Sequence, residues 1–524
     1  MNSRRVLLVV LLVVASVAYF WAIGRDLPHA PGNDEVDFLM IVAQMGLEGD
    51  PNPHWFGHPG STFIYPYAAG LKAWSAVTQG GPWFGANPEF VDTLSRHPDI
   101  AILVGRLVSV TYGVLALCMI CLVGDRAFGP PAGLIAAWFA LLSPLTFDHV
   151  DMARTDGAGL FFGFLAIWAM LRLLQEPTRR AHALAGATLG FAIGTRFFLA
   201  GLIPLLAVVD LLLLARSEDR DRSRERTSVA IGALCILAGL AASAPFLFFE
   251  WNEVFANLAH ETRSSHPGAD GFDTVGNLMW YLGDALPRSV PAAVLLLSAA
   301  GAILAALRRD VAPLLLVGFI VIFLGGISFA TLHWGRWLIQ ILPLFSILAA
   351  GALVWSVSAL VRRSGGGPRA VAIALVSCTL LISARPAWTF FQHVRIQAAP
   401  STRDQSRMWI VRNLDPSERI AADLYTAPLQ ETPFDDTDYV FSLGQIGDSP
   451  EELGARGYDV AMVSNAVYGR FFATPQRYPK EVAFYRRLFR RHELLAEFRP
   501  GPAMRGPVIR LYRLGPAGAA AASG

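Results

Sequence analysis

The chain has 524 residues, of which 54% are hydrophobic and 16% are charged, and its formal net charge is +2. Soluble domains carry about 25% charged residues, so this composition excludes an ordinary soluble enzyme and favours a polytopic membrane protein. Because the net charge is small and the arginines are spread among loops, nothing in the composition indicates nucleic-acid binding.

Apolar runs of the length that crosses a bilayer, about 17–25 residues, recur over the first three quarters of the chain. They predict spans at 6–24, 106–124, 131–147, 157–175, 228–249, 289–307, 311–331, 337–361 and 369–387. The first run is longer than the core of a cleaved signal peptide, so we interpret it as an uncleaved span. Residues 183–215 are too long for one span, and we expect a hairpin that turns near Arg196.

The arginines set the predicted orientation, because basic residues concentrate in cytoplasmic loops. With Arg4 and Arg5 inside and residues 61–79 lying along the membrane surface, the arginine clusters between spans all fall on the cytoplasmic side. The prediction is therefore about eleven transmembrane helices in a cell inner (plasma) membrane, with a cytoplasmic N-terminus. Nearly all the acids and histidines before residue 388 then share the outer face, which predicts a site at the outer membrane–water boundary.

The first outer loop, residues 25–105, is dense in acids, histidines, prolines and aromatics. Asp34 and Glu35 follow the first span, and a His-Pro-Gly turn begins at His58. Acids at this place could simply cap a helix. The amphipathic stretch FIYPYAAGLKAW that follows can lie in the interface and admit a lipid-borne substrate to the carboxylates. Its aromatic residues placed at headgroup depth are Tyr65, Tyr67 and Trp74.

Two later outer segments carry similar groups at the ends of spans. Residues 148–156 hold three acids, a histidine and an arginine, which exceeds what helix capping needs. Arg196 in GTRFF and Arg336 in HWGRW lie beside aromatic residues. Such arginines are common interfacial anchors, but a guanidinium is also suited to bidentate phosphate binding.

A third outer segment, residues 260–273, contains residues of the types that bind metal ions, but their spacing is not that of a compact metal site. His260, Glu261 and His266 are candidate ligands of a divalent metal ion, although histidines are common in loops. The sequence indicates no other cofactor.

The composition changes near residue 388, where the apolar runs end. The patterns predict helices at 402–414 and 480–492, and strands at 419–424, 458–464, 494–498 and 508–514. We therefore expect a transmembrane domain over 1–387, a small extracytoplasmic α/β domain over 388–514, and a disordered tail over 515–524.

The order of these motifs resembles the GT-C class of polyprenyl-phosphate-sugar-dependent glycosyltransferases, which includes the protein O-mannosyltransferases and the lipid A aminoarabinose transferase. The similar pieces are the pair DE (34–35), NPHWFGHPGSTFIYPYAAGL (52–71), RLVSVTYGVLALCMICLVGDRAFG (106–129), LLSPLTFDHVDMARTD (141–156), GATLGFAIGTRFF (186–198) and HWGRWLIQILPLF (333–345). Residues 458–489 and 506–514 resemble a bacterial branch of phospholipid-carrier-dependent glycosyltransferases.

The resemblance implies a multispan helical fold with juxtamembrane helices in the first outer loop, and a sugar donor carried on a polyprenyl phosphate. It also implies that Asp34 matches the acid taken as catalytic base and that Asp156 matches the acid of the second loop. Two departures stand out. Many members have Lys where this chain has Arg196, and the metal ligands of some members do not map cleanly onto this chain.

The predicted function is an inverting transfer of a hexosyl or pentosyl group to an acceptor hydroxyl on a glycan, lipid or protein at the outer face. Asp34 would take the acceptor proton, and Arg336, with Arg154 or Arg196, would hold the departing phosphate. The candidate catalytic residues are Asp34, Glu35 and Asp156. The candidate substrate-binding residues are His58, Tyr65, Arg154, Arg196, His333 and Arg336.

Two alternatives remain open at this point. One is a lipid or glycan transporter or scaffold that uses the same outer cleft without catalysis. Such proteins commonly carry charges in mid-membrane, broken helices and internal repeats, which the sequence lacks. The other is a glycan polymerase or ligase that takes a lipid pyrophosphate donor.

Overall fold

The computed structural model describes residues 3–29, 32–82 and 85–515, and the chain divides into two compact units. The first unit comprises Met1–Ile23, Gly32–Ser265 and Gly271–Gln392, and the second comprises Gly24–Pro31, His266–Asp270 and His393–Gly524. The predicted boundary at residue 388 falls five residues before the start of the last segment. Most of the predicted tail, residues 516–524, lies outside the described residues.

The first unit is built from helices. Its helices are α1 (Ser3–Phe20), α2 (Asn33–Glu48), α3 (Ser61–Gln79), α4 (Phe90–Arg96), α5 (Pro98–Phe128), α6 (Pro130–Leu141), α7 (Pro144–Val150), α8 (Asp156–Gln175), α9 (Arg179–Thr195), α10 (Ile203–Arg216), α11 (Asp219–Ser243), α12 (Trp251–Glu261), α13 (Thr274–Trp280), α14 (Leu286–Ser289), α15 (Ala292–Arg308), α16 (Val311–Ser328), α17 (Leu342–Arg363) and α18 (Pro368–Ile396), which continues into the second unit. Short 3-10 helices lie at Phe197–Leu202, Pro245–Phe248 and Gly335–Gln340, and a π-helical turn lies at Tyr281–Ala285.

Within the described residues, seven helical segments are long and apolar enough to cross a membrane, or eight if the bent pair α6 and α7 forms one span. They are Pro98–Phe128, Asp156–Gln175, Phe197–Arg216, Asp221–Ser243, Val311–Ser328, Leu342–Arg363 and Pro368–Ile396. The chain is therefore a multi-pass membrane protein, as its composition predicted. The count of eleven spans and the orientation of the termini stay predictions.

The segment 183–215 breaks at Arg196, where the sequence analysis expected a turn. Helix α9 ends at Thr195, and Arg196 itself adopts an extended conformation with φ −150° and ψ 125°. Helix α9 packs against α11 through glycines: a Cβ on Gly186 would lie 2.0 Å from the backbone oxygen of Gly232. Only small residues allow this approach of two apolar helices, so the packing fixes the end of α9 and the position of Arg196.

The first loop forms the juxtamembrane helices α2, α3 and α4, whose apolar faces share a core that contains Phe38, Phe63 and Phe90. Helix α3, which covers 61–79, is not among the segments that qualify as spans. One detail differs from the prediction: Tyr67 is fully buried, and its hydroxyl donates a hydrogen bond of 2.9 Å to the backbone oxygen of Ala101. Tyr67 is thus a core residue between α3 and α5 and is surrounded by protein.

The second unit contains a five-stranded sheet in the order β2-β1-β3-β5-β4. Its strands are β1 (Ile420–Asp423), β2 (Asp438–Val440), β3 (Val460–Ser464), β4 (Glu493–Phe498) and β5 (Ile509–Arg513), and its helices are α19 (Thr402–Asn413), α20 (Pro450–Ala455), α21 (Asn465–Ala473) and α22 (Pro479–Arg491). Strands β1, β2 and β3 pair in parallel, whereas β5 is antiparallel to β3 and β4. All the predicted helices and strands are present, whereas β2, α20 and α21 were not predicted.

The central strands explain why this unit could be recognised from its sequence. Every residue of β1 and β3 is buried, and strands that are buried on both faces have nearly continuous apolar sequences. Strand β2 has three partly exposed residues and no such signal.

Candidate active site

Asp34 and Glu35 lie in the first turn of α2 and point to different surroundings. Successive residues of an α-helix are about 100° apart around its axis, so adjacent side chains cannot share one set of partners. The two carboxylates therefore belong to two different groups of residues, which we describe in turn.

Glu35 is completely buried and its carboxylate is saturated. Arg106 of α5 donates from Nε and Nη2 to the two carboxylate oxygens, each at 2.8 Å. The backbone N–H groups of Gly32 and Ala153 also donate to the carboxylate, at 2.9 and 2.8 Å. Burial would raise the pKa of Glu35, but the Arg106 bonds and charge and the two N–H donors outweigh it, so the pKa is lowered. We call these residues the Glu35 anchor.

Asp34 is partly exposed and faces two arginines. Its Oδ2 atom lies 2.6 Å from Nη2 of Arg154 and accepts a hydrogen bond of 2.9 Å from Nη1 of Arg336. Burial acts to raise the pKa of Asp34, but the Arg154 and Arg336 charges outweigh it and lower the pKa. The side chain keeps 40% of its surface exposed, so an incoming group can reach this carboxylate.

Asp156 extends this group into the interior. It begins α8, is completely buried, and lies 3.0 Å from Nη2 of Arg196 and 3.5 Å from Nε of Arg154. Arg196 also donates from Nε and Nη2 to the hydroxyl of Thr155. We call Asp34, Arg154, Asp156, Arg196 and Arg336 the Asp34 cluster. It holds three guanidinium groups and two carboxylates, so its formal charge of +1 fits the binding of an anion.

The Asp34 cluster forms because each member sits where an apolar helix begins or ends. Asp34 lies in the first turn of α2, and Arg154 lies just before α8, which begins at Asp156. Arg196 follows the end of α9. Arg336 lies in the 3-10 helix that precedes α17. The polar end residues of separate helices thus meet in one group of ion pairs within the first unit.

His58 lies near the cluster in a turn that is tied to the end of α9. The backbone N–H of Gly60 donates to the backbone oxygen of Thr195 at 3.1 Å. The His58 ring packs edge-on against Trp55 at 4.6 Å. Burial, followed by the charge of Arg196, lowers the pKa of His58 well below its usual value. The imidazole is therefore neutral near pH 7 and can donate one hydrogen bond and accept another.

Two other predicted substrate-binding residues have different surroundings. Burial and the charge of Asp50 raise the pKa of Tyr65 to about 12, which places Tyr65 toward Asp50. His333 stacks on Trp280 with a centroid distance of 4.0 Å, and its Nδ1 lies 3.3 Å from the side-chain oxygen of Asn277. Neither residue takes part in the ion pairs of Asp34.

The three metal-ligand candidates belong to two different units. His260 and Glu261 end α12 in the first unit, whereas His266 belongs to the second unit. Among the described residues, the three ligand-type side chains whose ligand atoms lie within 4.8 Å of one another are Glu48, Asp50 and His54. A metal ion stays a prediction.

Two residues of the site were missed in the sequence. Arg106 is 2% exposed inside a helix of spanning length, and a lone charge in an apolar helix is itself a signal of a buried partner. Gln340 is also 2% exposed, and neither atom of its amide has a hydrogen-bond partner among the described residues. A Cβ on Gly159 would lie 2.9 Å from the amide nitrogen of Gln340 and 3.1 Å from Cδ of Arg196, so Gln340 lies beside the cluster.

Comparison with known sequences gives matches to part of the chain. The family model of dolichyl-phosphate-mannose-protein mannosyltransferases matches residues 99–249. An undecaprenyl phosphate-alpha-4-amino-4-deoxy-L-arabinose arabinosyl transferase of Pseudomonas aeruginosa is 25% identical over 281 residues, which cover 49% of this chain and 45% of that protein. The chain thus matches less than half the length of these curated relatives.

Solved structures match nearly the whole chain. ArnT from Cupriavidus metallidurans in the apo state has a TM-score of 0.51 and 15% identity, with 96% of this chain and 97% of that chain covered. The Archaeoglobus fulgidus oligosaccharyltransferase tethered with an acceptor peptide has a TM-score of 0.52 and 12% identity, with 93% and 72% covered. At these identities the likeness shows the fold. The sequence and fold matches together confirm the resemblance to the GT-C class that the motif order indicated.

Proposed function

We propose that this protein is a membrane glycosyltransferase that moves a sugar from a polyprenyl-phosphate donor to a hydroxyl group of an acceptor. The observation that carries the proposal is the Asp34 cluster, in which a reachable carboxylate lies within 3 Å of two guanidinium groups. Relatives named for transfer from undecaprenyl phosphate or dolichyl phosphate support the same class of donor.

The arginines of the cluster provide the phosphate site. Arg336 is 30% exposed at its side chain and Arg154 is 10% exposed, so Arg336 offers the outer contact and Arg154 the inner one. Guanidinium groups bind phosphate through paired N–H donors. They also stabilise the negative charge that grows on the phosphate as its bond to the sugar breaks.

Asp34 is the proposed base. Arg154 and Arg336 both pair with Asp34 and lower its pKa, which makes the carboxylate a weak proton acceptor. A donor phosphate on the same arginines would share their charge and raise the basicity of Asp34. The carboxylate would then take the proton of the acceptor hydroxyl, which attacks the sugar from the side opposite the phosphate and inverts the anomeric carbon.

The remaining predicted catalytic residues fit positioning roles. The four donors on Glu35 leave its carboxylate no access to a substrate, so we assign it to holding the start of α2 in place. The buried Asp156 orients Arg154 and Arg196 through its ion pairs with them. The sugar, the acceptor and the placement of the site on the outer face of an inner membrane are parts of the proposal that rest on the sequence resemblance and the arginine distribution.

The test uses the purified full chain in detergent, a synthetic polyprenyl-phosphate sugar (mannosyl and aminoarabinosyl donors in parallel), and release of polyprenyl phosphate as the readout. Asp34→Asn should lower the rate by about 10²–10⁴-fold, the usual contribution of a general base. Asp92→Asn is the matched control, because Asp92 also lies in the first turn of a helix of the first loop. Full activity of Asp34→Asn would refute the assignment of the base, and donor binding without consumption would favour a scaffold or transporter.

A further inference from the structure

The second unit carries a basic groove that the proposed reaction does not use. Its volume is about 450 Å³. The lining residues are Pro475, Pro479, Val482, Ala483, Arg486, Arg487, Arg490 and Arg491. Ligand sites in proteins typically measure about 300–1,000 Å³, so the groove is large enough for a small ligand. We call it the arginine groove.

Helix α22 builds the groove with one face while its other face belongs to the core. Val482, Tyr485 and Leu488 are buried in the hydrophobic cluster of this unit. The four arginines occur at positions i, i+1, i+4 and i+5, which share one side of a helix. Because its apolar side is already packed, α22 cannot insert into a bilayer as an interfacial helix does. Recognition through the groove must therefore use the arginine side chains.

The positive charge of the groove is only partly compensated. Arg487 lies 2.7 Å from a carboxylate oxygen of Glu451, and the guanidinium of Arg486 lies 5.8 Å from the ring of Phe472. Within the described residues, Arg490 and Arg491 have no carboxylate partner. Like charges four residues apart on a helix repel each other. The helix dipole stabilises Arg490 and Arg491, which lie in the last turn of α22. Arg486 lies outside that turn, so the dipole does not explain why it also lines the groove.

We propose that the arginine groove binds a ligand that carries at least two phosphate groups close together. Guanidinium groups present paired donors that match phosphate oxygens, and neighbouring arginines one turn apart can engage neighbouring phosphates. The prolines, Val482 and Ala483 give the groove an apolar floor, which suits the non-phosphate part of such a ligand. This inference is independent of the transfer reaction proposed above.

The test measures binding of inorganic tripolyphosphate to the purified full chain in detergent by isothermal titration calorimetry. The variant R486Q/R490Q should bind on the order of tenfold or more weakly, since hydrogen bonds to charged groups contribute strongly, and salt should weaken wild-type binding. Glutamine has nearly the helix propensity of arginine, so unchanged circular dichroism and melting temperature would show that the variant is folded.

Two controls separate the groove from other positive sites. R395Q/R412Q removes two exposed arginines of the same unit that lie outside the groove, and it should bind like the wild type. Arg336→Gln weakens the Asp34 cluster, which also fits an anion, and groove binding should survive this change. Failure of the proposed transferase activity would leave these binding results unaffected.

A second experiment distinguishes a lipid headgroup from a soluble compound as the source of the phosphates. The protein is placed in nanodiscs of phosphatidylcholine alone or with cardiolipin, whose headgroup carries two phosphates, and tripolyphosphate binding is measured again. Several-fold weaker binding with cardiolipin would assign the groove to membrane headgroups, and equal binding would assign it to a soluble phosphate compound. The proposal is overturned if the wild type does not bind tripolyphosphate, or if R486Q/R490Q and R395Q/R412Q lose the same affinity.

Discussion

The two carboxylates of the first turn of α2 show how one short stretch of sequence can serve two purposes. In the Glu35 anchor, one carboxylate and one guanidinium are matched in charge, almost inaccessible, and joined by two hydrogen bonds of 2.8 Å. In the Asp34 cluster, three guanidinium groups meet two carboxylates, and Asp34 and Arg336 keep 40% and 30% of their side-chain surface exposed.

The difference teaches which arrangement can take part in chemistry. A buried pair with every lone pair satisfied has no capacity for a substrate, and breaking it leaves an uncompensated charge. A partly exposed cluster with surplus positive charge can bind an anion and release a carboxylate. We therefore expect the anchor to determine stability and the cluster to determine activity, and the following experiments test that division.

The largest expected effect is the loss of the anchor. Glu35→Ala removes the carboxylate that neutralises the buried Arg106, which should cost about 3–5 kcal/mol of folding stability. Asp34→Ala should cost less than Glu35→Ala, because Asp34 keeps 40% of its side chain exposed and Arg154 retains Asp156 as a partner. Thermal unfolding in detergent, followed by fluorescence-detection size exclusion, compares the two. Similar losses for both variants would contradict the division.

A second experiment removes the outer arginine of the cluster. Arg336→Gln should slow sugar transfer by about 10²–10³-fold, the range for loss of one donor to a developing oxyanion. Because Arg336 lowers the pKa of Asp34, its removal should raise that pKa. The acid limb of the pH–rate profile should then move to higher pH, since Asp34 becomes protonated earlier as the pH falls.

Arg288→Gln provides the control for this variant, because Arg288 is an exposed arginine paired with Asp284 within the first unit. Its rate and pH profile should match those of the wild type. If Arg336→Gln is slower but its acid limb does not move, Arg336 contacts the phosphate without controlling the pKa of Asp34.

The anion site of the cluster can be measured without turnover. Undecaprenyl phosphate at about 100 times its dissociation constant should stabilise the wild type by about 2.7 kcal/mol. The double variant R154Q/R336Q should lose most of this stabilisation, whereas Asp92→Asn should keep it. Melting temperatures with and without the lipid provide the comparison. Equal stabilisation of wild type and double variant would place lipid binding elsewhere.

The last prediction concerns a carboxyl group that is buried without an arginine. Burial raises the pKa of Asp423 to about 8, although the Tyr485 hydroxyl and the N–H groups of Leu443 and Ser464 donate to it. The unfolded chain ionises near its ordinary pKa of about 3.9. Between these values the folded unit holds a proton that the unfolded chain lacks, so its stability should fall as the pH rises from about 4 to about 8.

The expected slope is about 1.4 kcal/mol per pH unit, and Asp423→Asn should remove it. Hydrogen exchange of β1 and β3 between pH 5 and pH 8, corrected for intrinsic rates, measures this slope. A pH-dependent slope that persists in Asp423→Asn would mean that another group titrates in the second unit.

Much of the fold could be predicted because its signals are local. Apolar runs such as 311–331 and the continuous apolar strand 458–464 are visible in any window of sequence, as is the change in composition near residue 388. Strand β2 escaped prediction because it has only three residues and no buried run. Tyr67 was misplaced because an amphipathic pattern shows which residues are apolar and does not distinguish protein from lipid as their surroundings.

For the site, the sequence by itself determined that acids and arginines stand at the ends of apolar helices, since charged groups are excluded from the interiors of such helices. It could not determine which charges meet, because Asp34 and Arg336 are 302 residues apart and the alternative pairings have equal local signals. Only the tertiary structure showed that Glu35 pairs with Arg106 and that Asp34 pairs with two arginines. The reason is that burial and geometry, and not residue type, decide whether a carboxylate is saturated or free to react.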